Sequence, residues 1–487
     1  MLLTAETPSS DDPPRDGDHT ARRLSTGSRG VLTGLVALVV VLAVTVGAAT
    51  LWGRSALYAT GLLVDGGQPT VDPSALDPEP TPVAVEPTLL PAPEEGTPVD
   101  AAALAEALRR VPRTDVGGQL DLQVDDVATG STLHREGAQP GIPASTLKLL
   151  TGAAALHLLG PDHRFTTAVQ RRGAEWVLVG GGDPLLTLVR EQGYPERASL
   201  QRLAELTRDA VEEAGLDAIT LTVDADLFEG PDWSPTWPEN YRDQVTPVVA
   251  LVHDQGQLRG TSPGPREPDP VTAAADRFAG LLEEAGVSVQ RGGTAADGEG
   301  ETVAEVSSPP VSVLVEQMLQ HSDNDIAEIL LRQAAVAAGE PATFEGGATA
   351  VAGALADLGV PTDGVVTRDG SGLSRENRLG APTLSVLLRL ALSDDHPGLR
   401  PLVTGLPLAG GTGSLTSRYA DAGSEAGLGQ VHGKTGTLRG THSLAGYTRT
   451  ADGRLLVFAF LVNDAANDYA ARVWLDRASA AVAACGC

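Results

Sequence analysis

The order of its apolar patterns places the folded part of this chain in the α+β class. Near the C-terminus, residues 431–438, 443–449 and 455–461 alternate as strands, the last two joined across Ala451, Asp452 and Gly453. Helical patterns flank them at 101–110, 145–159, 311–320, 326–338 and 469–484. Helices segregated against an antiparallel sheet make an α+β domain. The pattern changes between 165 and 309, where a helix, Glu-Ala-Gly and a strand occur twice in succession, as expected of an inserted α/β region.

The elements follow in order. Residues 1–29 are polar and lack periodicity, so they read as a disordered tail. Residues 30–53 carry no charge inside their boundaries, and the apolar run 31–51 is long enough to cross a hydrocarbon core. Arg22, Arg23 and Arg29 precede it, which predicts a single-pass anchor with a cytoplasmic N-terminus and an extracytoplasmic remainder; the alternative is a signal peptide cleaved near Ala49. Residues 54–99 are rich in proline and form a semi-rigid spacer.

The first part of the α+β domain is expected at 100–164. It holds the helix 101–110, a hairpin from 119–127 and 132–135 turned at Gly130, and the helix entered at Ser145. The insert at 165–309 offers strands at 165–171, 176–179, 219–223 and 287–290 and helices at 200–214 and 272–285, with Ser199 as a cap. The second part, 310–487, returns to helices and then the sheet, with Ser322 expected to cap the helix that follows it.

Composition excludes some functions. With 487 residues and 42% hydrophobic content, the chain can bury more than one core. A net charge of −28 argues against binding nucleic acid, which requires clustered cations. The two cysteines, Cys485 and Cys487, have no companion ligands for a metal and read as a loose tail. No metal or cofactor is expected. Asp183, in a glycine-rich run without Gly-Lys-Ser/Thr, reads as part of a tight turn and not a phosphate loop.

The chemistry lies in the lysines. There are two, Lys148 and Lys434, while the other 33 of the 35 basic residues are arginine. Arginine stays protonated in proteins, so a chain that otherwise avoids lysine keeps it where an amine must act as a base. Lys148 stands three residues after Ser145, a spacing that shares a helical face. A serine hydroxyl needs a base to become a nucleophile, and a lysine serves only when neutral, far below its usual pKa of about 10.4. Lys434 lies in Lys434-Thr435-Gly436-Thr437, and Ser322-Asp323-Asn324 falls between the two lysines.

In order, these are S-x-x-K, S-x-N and K-T-G, the set that serves penicillin-binding proteins and serine β-lactamases. With Gly180-Gly181-Gly182-Asp183-Pro184, Trp237-Pro238, Ser322 to Glu328, Asp369-Gly370-Ser371-Gly372 and the Lys434 segment, the chain from about residue 100 onward resembles D-alanyl-D-alanine carboxypeptidases/endopeptidases of the penicillin-binding protein 4 type, peptidase family S13. The resemblance implies a transpeptidase-like domain with a large insert between the first two motifs. It also implies a serine DD-peptidase that acts on peptidoglycan stem peptides and is inhibited by β-lactams. Ser145 would attack the penultimate D-alanine carbonyl and Lys148 take its proton. Lys434 would repel charge on Lys148 and attract the substrate carboxylate. Ser322 would relay a proton, and Asn324 would hold Lys148 and the substrate amide. Thr435 and Thr437 would bind carboxylate, Gly436 would admit the substrate backbone, and the backbone N–H groups of Ser145 and Thr437 would form the oxyanion hole. Asp224 is a candidate contact for a substrate amine, against the plainer expectation of a solvated loop charge.

Two other functions fit the same residues. A β-lactamase or esterase would share the acyl-enzyme, but no Glu-x-x-x-Asn element follows the second motif to supply a deacylating carboxylate. A non-catalytic wall-binding relative would have no need to keep its two lysines. The anchor gives a direct expectation: full-length protein stays in the membrane fraction and resists high-salt extraction, whereas a mature N-terminus near Ala49 would show cleavage instead.

Overall fold

The computed structural model describes residues 96–137, 139–295 and 300–487. The predicted tail and anchor, and the spacer as far as residue 95, lie outside these residues. Helix α1 (Ala101–Arg110), capped by the Asp100 carboxylate, leads into the antiparallel pair β1 (Gln119–Asp126) and β2 (Thr132–Glu136). A short 3-10 turn, Ala144–Leu147, then opens α2 (Lys148–Leu159). The sequence suggested one continuous α-helix from Ser145, but its first turn is wound more tightly.

The chain then builds a second sheet from β3 (Thr166–Arg172), β4 (Glu175–Val179), β5 (Ala218–Asp224), β6 (Ser288–Thr294) and β7 (Glu301–Ser307), with α3 (Leu200–Glu213) after β4 and α4 (Pro270–Glu284) after β5. Its strand order is β6-β5-β4-β3-β7, parallel on the β4-β5-β6 side and antiparallel at β3 and β7. Sequence reading missed β7, where only Ala304 is buried, so little apolar alternation betrays it. The Ser199 hydroxyl caps α3 as expected, and Asp269 caps α4 with Pro270 in its first turn.

Past the insert come α5 (Val311–His321), α6 (Asn324–Ala338), α7 (Phe344–Asp357) and α8 (Ala381–Leu392). The chain closes with β8 (His432–Leu438), β9 (Thr441–Arg449), β10 (Leu455–Asn463) and α9 (Asp468–Ala483). The order β2-β1-β10-β9-β8 makes one antiparallel sheet from the two ends of the chain.

Both faces of that sheet are covered, which explains why β10 is apolar nearly throughout. Val457, Ala459 and Leu461 join a core with α2, α5, α6, α7 and α8. Leu456, Phe458, Phe460 and Val462 join another with Leu104, Trp474 and Leu475 from α1 and α9. Helix α2 is surrounded: every residue from Lys148 to Leu156 is buried. A helix apolar on all sides belongs in a core, and here its N-terminal end carries the lysine.

The tail is not loose. Cys485 is buried against the α9 core, the Cys487 carbonyl accepts from the Asp100 amide at 3.0 Å, and the two cysteines are joined in a disulfide. The expectation rested on the absence of companion ligands and took no account of this packing against the start of α1.

Asp126 and Arg454 form a buried two-point ion pair that ties β1 to the turn before β10, at 2.7 and 2.9 Å. Removing one partner of a buried pair strands the other, so Arg454→Met should lower stability by about 3–5 kcal/mol. A drop in the urea midpoint without a change in slope checks this.

Candidate active site

Ser145 sits in the 3-10 turn, where side chains three residues apart eclipse one another, directly below Lys148. The Lys148 Nζ lies 3.1 Å from the Ser145 Oγ. The turn is pinned from outside: the Ser443 Oγ on β9 and the Thr146 Oγ1 both donate to the Pro143 carbonyl, at 2.6 and 2.8 Å. Ser145 itself is only partly buried, so its hydroxyl is within reach of a substrate.

Lys148 is fully buried and has two further partners, the Asn324 Oδ1 at 2.8 Å and the Ser371 carbonyl at 2.7 Å. Both are acceptors. A neutral amine has two N–H bonds and one lone pair, so two fixed acceptors leave the lone pair for the Ser145 O–H. Burial lowers the Lys148 pKa to about 8, against the pull of the Glu328, Asp323, Asp369 and Asp325 carboxylates. At pH 7 roughly one such lysine in ten is neutral, compared with roughly one in three thousand for a solvated one.

Burial is the largest cause of the Lys148 shift, and the two buried amines also repel each other: the Lys434 pKa is pushed well down by burial and then by Lys148. The Lys434 Nζ donates to the Ser322 Oγ and the Thr435 carbonyl, both at 2.8 Å. A substrate carboxylate beside it would restore its charge.

Ser322 does not cap the following helix. It closes α5 in the left-handed conformation with φ 56°, and Asp323 caps α6 by accepting from the Ile326 amide at 2.9 Å. This backbone reversal sets the Ser322 hydroxyl on Lys434 and the Asn324 amide on Lys148. The Asn324 Nδ2 donates to the Gln244 carbonyl at 2.9 Å, which fixes the amide with its oxygen towards the lysine.

On β8, the Thr435 Oγ1 meets the Ser414 Oγ at 2.8 Å, while Thr437 is exposed at the rim of a cleft of about 850 Å³. Gly436 answers a constraint that sequence reading assigned to the substrate. A Cβ there would lie 2.6 Å from the Pro143 carbonyl and 3.1 Å from the Ser145 amide, and would strike Ser443. Glycine therefore lets β8 press against the Ser145 turn. Asp224 stands apart, at the end of β5 in the second sheet, with its carboxylate 2.8 Å from Arg172.

Two groups were not anticipated. The Ser371 carbonyl lies in the Asp369 to Gly372 segment, to which the sequence assigned no contact with Lys148. Glu328 comes one helical turn after Asn324, fully buried, and accepts from the Gly370 and Ser371 amides at 2.9 and 2.7 Å. A carboxylate set between Ile326-Ala327 and Ile329-Leu330-Leu331 on α6 was the available signal.

A serine and a buried lysine in bonding distance, with a second serine-lysine pair beside them on a sheet edge, define the class of serine acyl-transfer enzymes. The D-Ala-D-Ala carboxypeptidase 3 (S13) family matches residues 101–270 and 265–482. The chain belongs to this family and is a serine-type D-Ala-D-Ala carboxypeptidase. It is 33% identical to carboxypeptidase DacB of Mycolicibacterium smegmatis over 474 residues, 94% of this chain and 98% of the other. It is 30% identical to a D-alanyl-D-alanine carboxypeptidase of Actinomadura sp. strain R39, over 68% of this chain and 75% of that one. Penicillin-binding protein 4 of Haemophilus influenzae has the same fold, with a TM-score of 0.61 at 21% identity, covering 78% of this chain and 98% of the other.

A base role for Lys148 requires its neutral form, so on that role the acylation rate should rise with pH through about 8 and level off above. Second-order rates of penicillin acylation between about pH 6 and about pH 10 check this; a profile flat below pH 7 would contradict it.

Proposed function

We propose that Ser145 is the nucleophile, Lys148 its general base and Lys434 the electrostatic anchor for the C-terminal carboxylate of a peptidoglycan stem peptide. The observation that carries this is the Lys148 amine, flanked by two acceptors and the Ser145 hydroxyl. The Ser145 Oγ attacks the penultimate D-alanine carbonyl while its proton passes to Lys148. The resulting oxyanion is held by backbone N–H groups at Ser145 and Thr437. Collapse of the tetrahedral intermediate expels D-alanine, whose amine takes a proton through Ser322, and water then releases the shortened peptide.

The cleft beside Thr437 takes the rest of the stem. Arg375 and Arg439 line it, and the Arg375 Nη1 donates to the Arg439 carbonyl at 3.0 Å. Among the described residues neither guanidinium has a carboxylate within ion-pair distance, and Asp468 on the same lining is held by His442 and the Gly440 amide, so the cleft suits a substrate with anionic groups of its own. Penicillins acylate the same serine. Glu328 and Asp369 are occupied by backbone N–H groups, which supports a lasting acyl-enzyme over β-lactamase turnover. The apolar run 31–51 supports an enzyme anchored in the membrane and working outside it.

The two lysines separate these roles. Lys148→Arg keeps a charge but cannot act as a neutral base, so acylation by penicillin and release of D-alanine from a pentapeptide should both fall by at least about a thousandfold. Lys434→Arg keeps the charge and should retain measurable acylation at a rate lowered by misfit. Equal second-order acylation rates for the two variants would remove Lys148 from the base role.

A further inference from the structure

Asp323 and Asn324 of the second motif, and Asp325 after them, are each gripped by one segment of the insert, residues 244–266. The Gln255 Nε2 donates to the Asp323 Oδ2 at 2.7 Å. The Gln244 carbonyl accepts from the Asn324 Nδ2 at 2.9 Å. The Thr246 amide donates to the Asp325 Oδ1 at 2.8 Å, and the Arg266 Nη2 lies 3.2 Å from the Asp325 Oδ2.

Arg266 is the centre of this grip. Its side chain is 3% exposed, and the guanidinium spans Asp325, the Gln255 carbonyl at 3.0 Å and the Ser262 hydroxyl at 3.0 Å. The Thr246 hydroxyl donates to the same Gln255 carbonyl at 2.5 Å. Asp254, Gln255 and Gly256 run in succession with φ of 48°, 52° and 62°, a tight left-handed bend, two residues of which are not glycine. Such a bend persists only where its surroundings hold it.

We propose that Arg266 is a positioning residue for acylation: by locking the 244–257 bend onto Asp323 and Asp325, it holds the Gln244 carbonyl where it keeps the Asn324 amide oxygen on Lys148. The inference rests on Lys148 being the base. A free Asn324 amide could rotate and present its NH₂ to the amine, diverting the lone pair from Ser145. Arg266 touches neither Ser145 nor Lys148, so its effect passes through Asn324 and through the charge of Asp325, one of the carboxylates that act on Lys148. The insert thereby completes the active site.

The test uses full-length protein and a chromogenic penicillin, with stopped-flow separation of the initial binding constant from the acylation rate constant k2. Arg266→Met should lower k2 by about ten- to a hundredfold while changing initial binding by less than about twofold. Arg266→Lys keeps the charge on Asp325 without the three-way fork and should fall in between. Gln255→Leu, at a half-buried position, removes the bond to Asp323 and should also lower k2 alone; it decides the matter if Arg266→Met does not fold. Unchanged k2 in folded Arg266→Met or in Gln255→Leu overturns the proposal, as does a parallel loss of k2, binding and stability, which marks a purely structural role. Failure of the base assignment is distinguishable, because it shows as acylation by Lys148→Arg whatever the Arg266 series does.

Discussion

The Lys148 amine is held between two oxygen acceptors from distant parts of the chain, the Asn324 side chain and the Ser371 carbonyl, and much of the structure serves to keep them there. The acceptors decide which electron pair faces Ser145, while burial decides whether that pair is free. Burial lowers the pKa of the amine, and the carboxylates behind it limit the fall, leaving a pKa of about 8. A base poised there combines a useful neutral fraction with enough basicity to take a serine proton.

The carboxylates that temper Lys148 also shape its cage. Glu328 captures the Gly370 and Ser371 amides, and Asp369 captures those of Gly372 and Ser374 at 3.0 and 2.5 Å. An irregular buried segment must find acceptors for its N–H groups, and two side chains meet that need here. The carbonyls are then free to face α2, where Gly370 accepts from the Thr151 hydroxyl at 2.7 Å and Ser371 from Lys148. Trp237 of the insert anchors the same Asp369 through its Nε1 at 2.8 Å. Burial pushes the Glu328 carboxyl up, and hydrogen bonds from Ser371 and Gly370 oppose it.

The α+β class and the Ser145, Lys148, Ser322, Asn324 and Lys434 cluster were legible because they depend on local signals: periodicity, and a residue type used only where its chemistry is needed. The structure bonds Ser145 and Asn324 to Lys148 and, beside them, Ser322 to Lys434. Helices α7 and α8 and strand β7 escaped notice, since Phe344–Asp357 is largely alanine and glycine and β7 is mostly exposed. The reversal at Ser322 was read one residue out of phase, because a serine before an apolar run looks like a cap and nothing local marks a left-handed backbone. Glu328, the Ser371 carbonyl and Gln244 were illegible as partners. Backbone carbonyls leave no trace in composition, and contacts across 176 or 223 positions of sequence are set by tertiary packing.

Backbone geometry connects these observations. Among the described residues seven non-glycine positions have positive φ, and four of them, Ala144, Asp254, Gln255 and Ser322, lie in the walls of the site. Each costs on the order of 1–3 kcal/mol unless its surroundings compensate. Ala144 turns the chain so that Ser145 enters a 3-10 rather than an α turn, and Gly372 must be glycine because a Cβ would strike the Ala144 carbonyl. Ser322 turns its hydroxyl to Lys434, and Asp254 and Gln255 bend the insert back onto the second motif. Relaxing any of these bends would move a hydrogen-bonding group out of register with one of the two lysines. Strain concentrated where two buried amines must be aimed fits a site whose catalytic geometry is held against the preference of its own backbone.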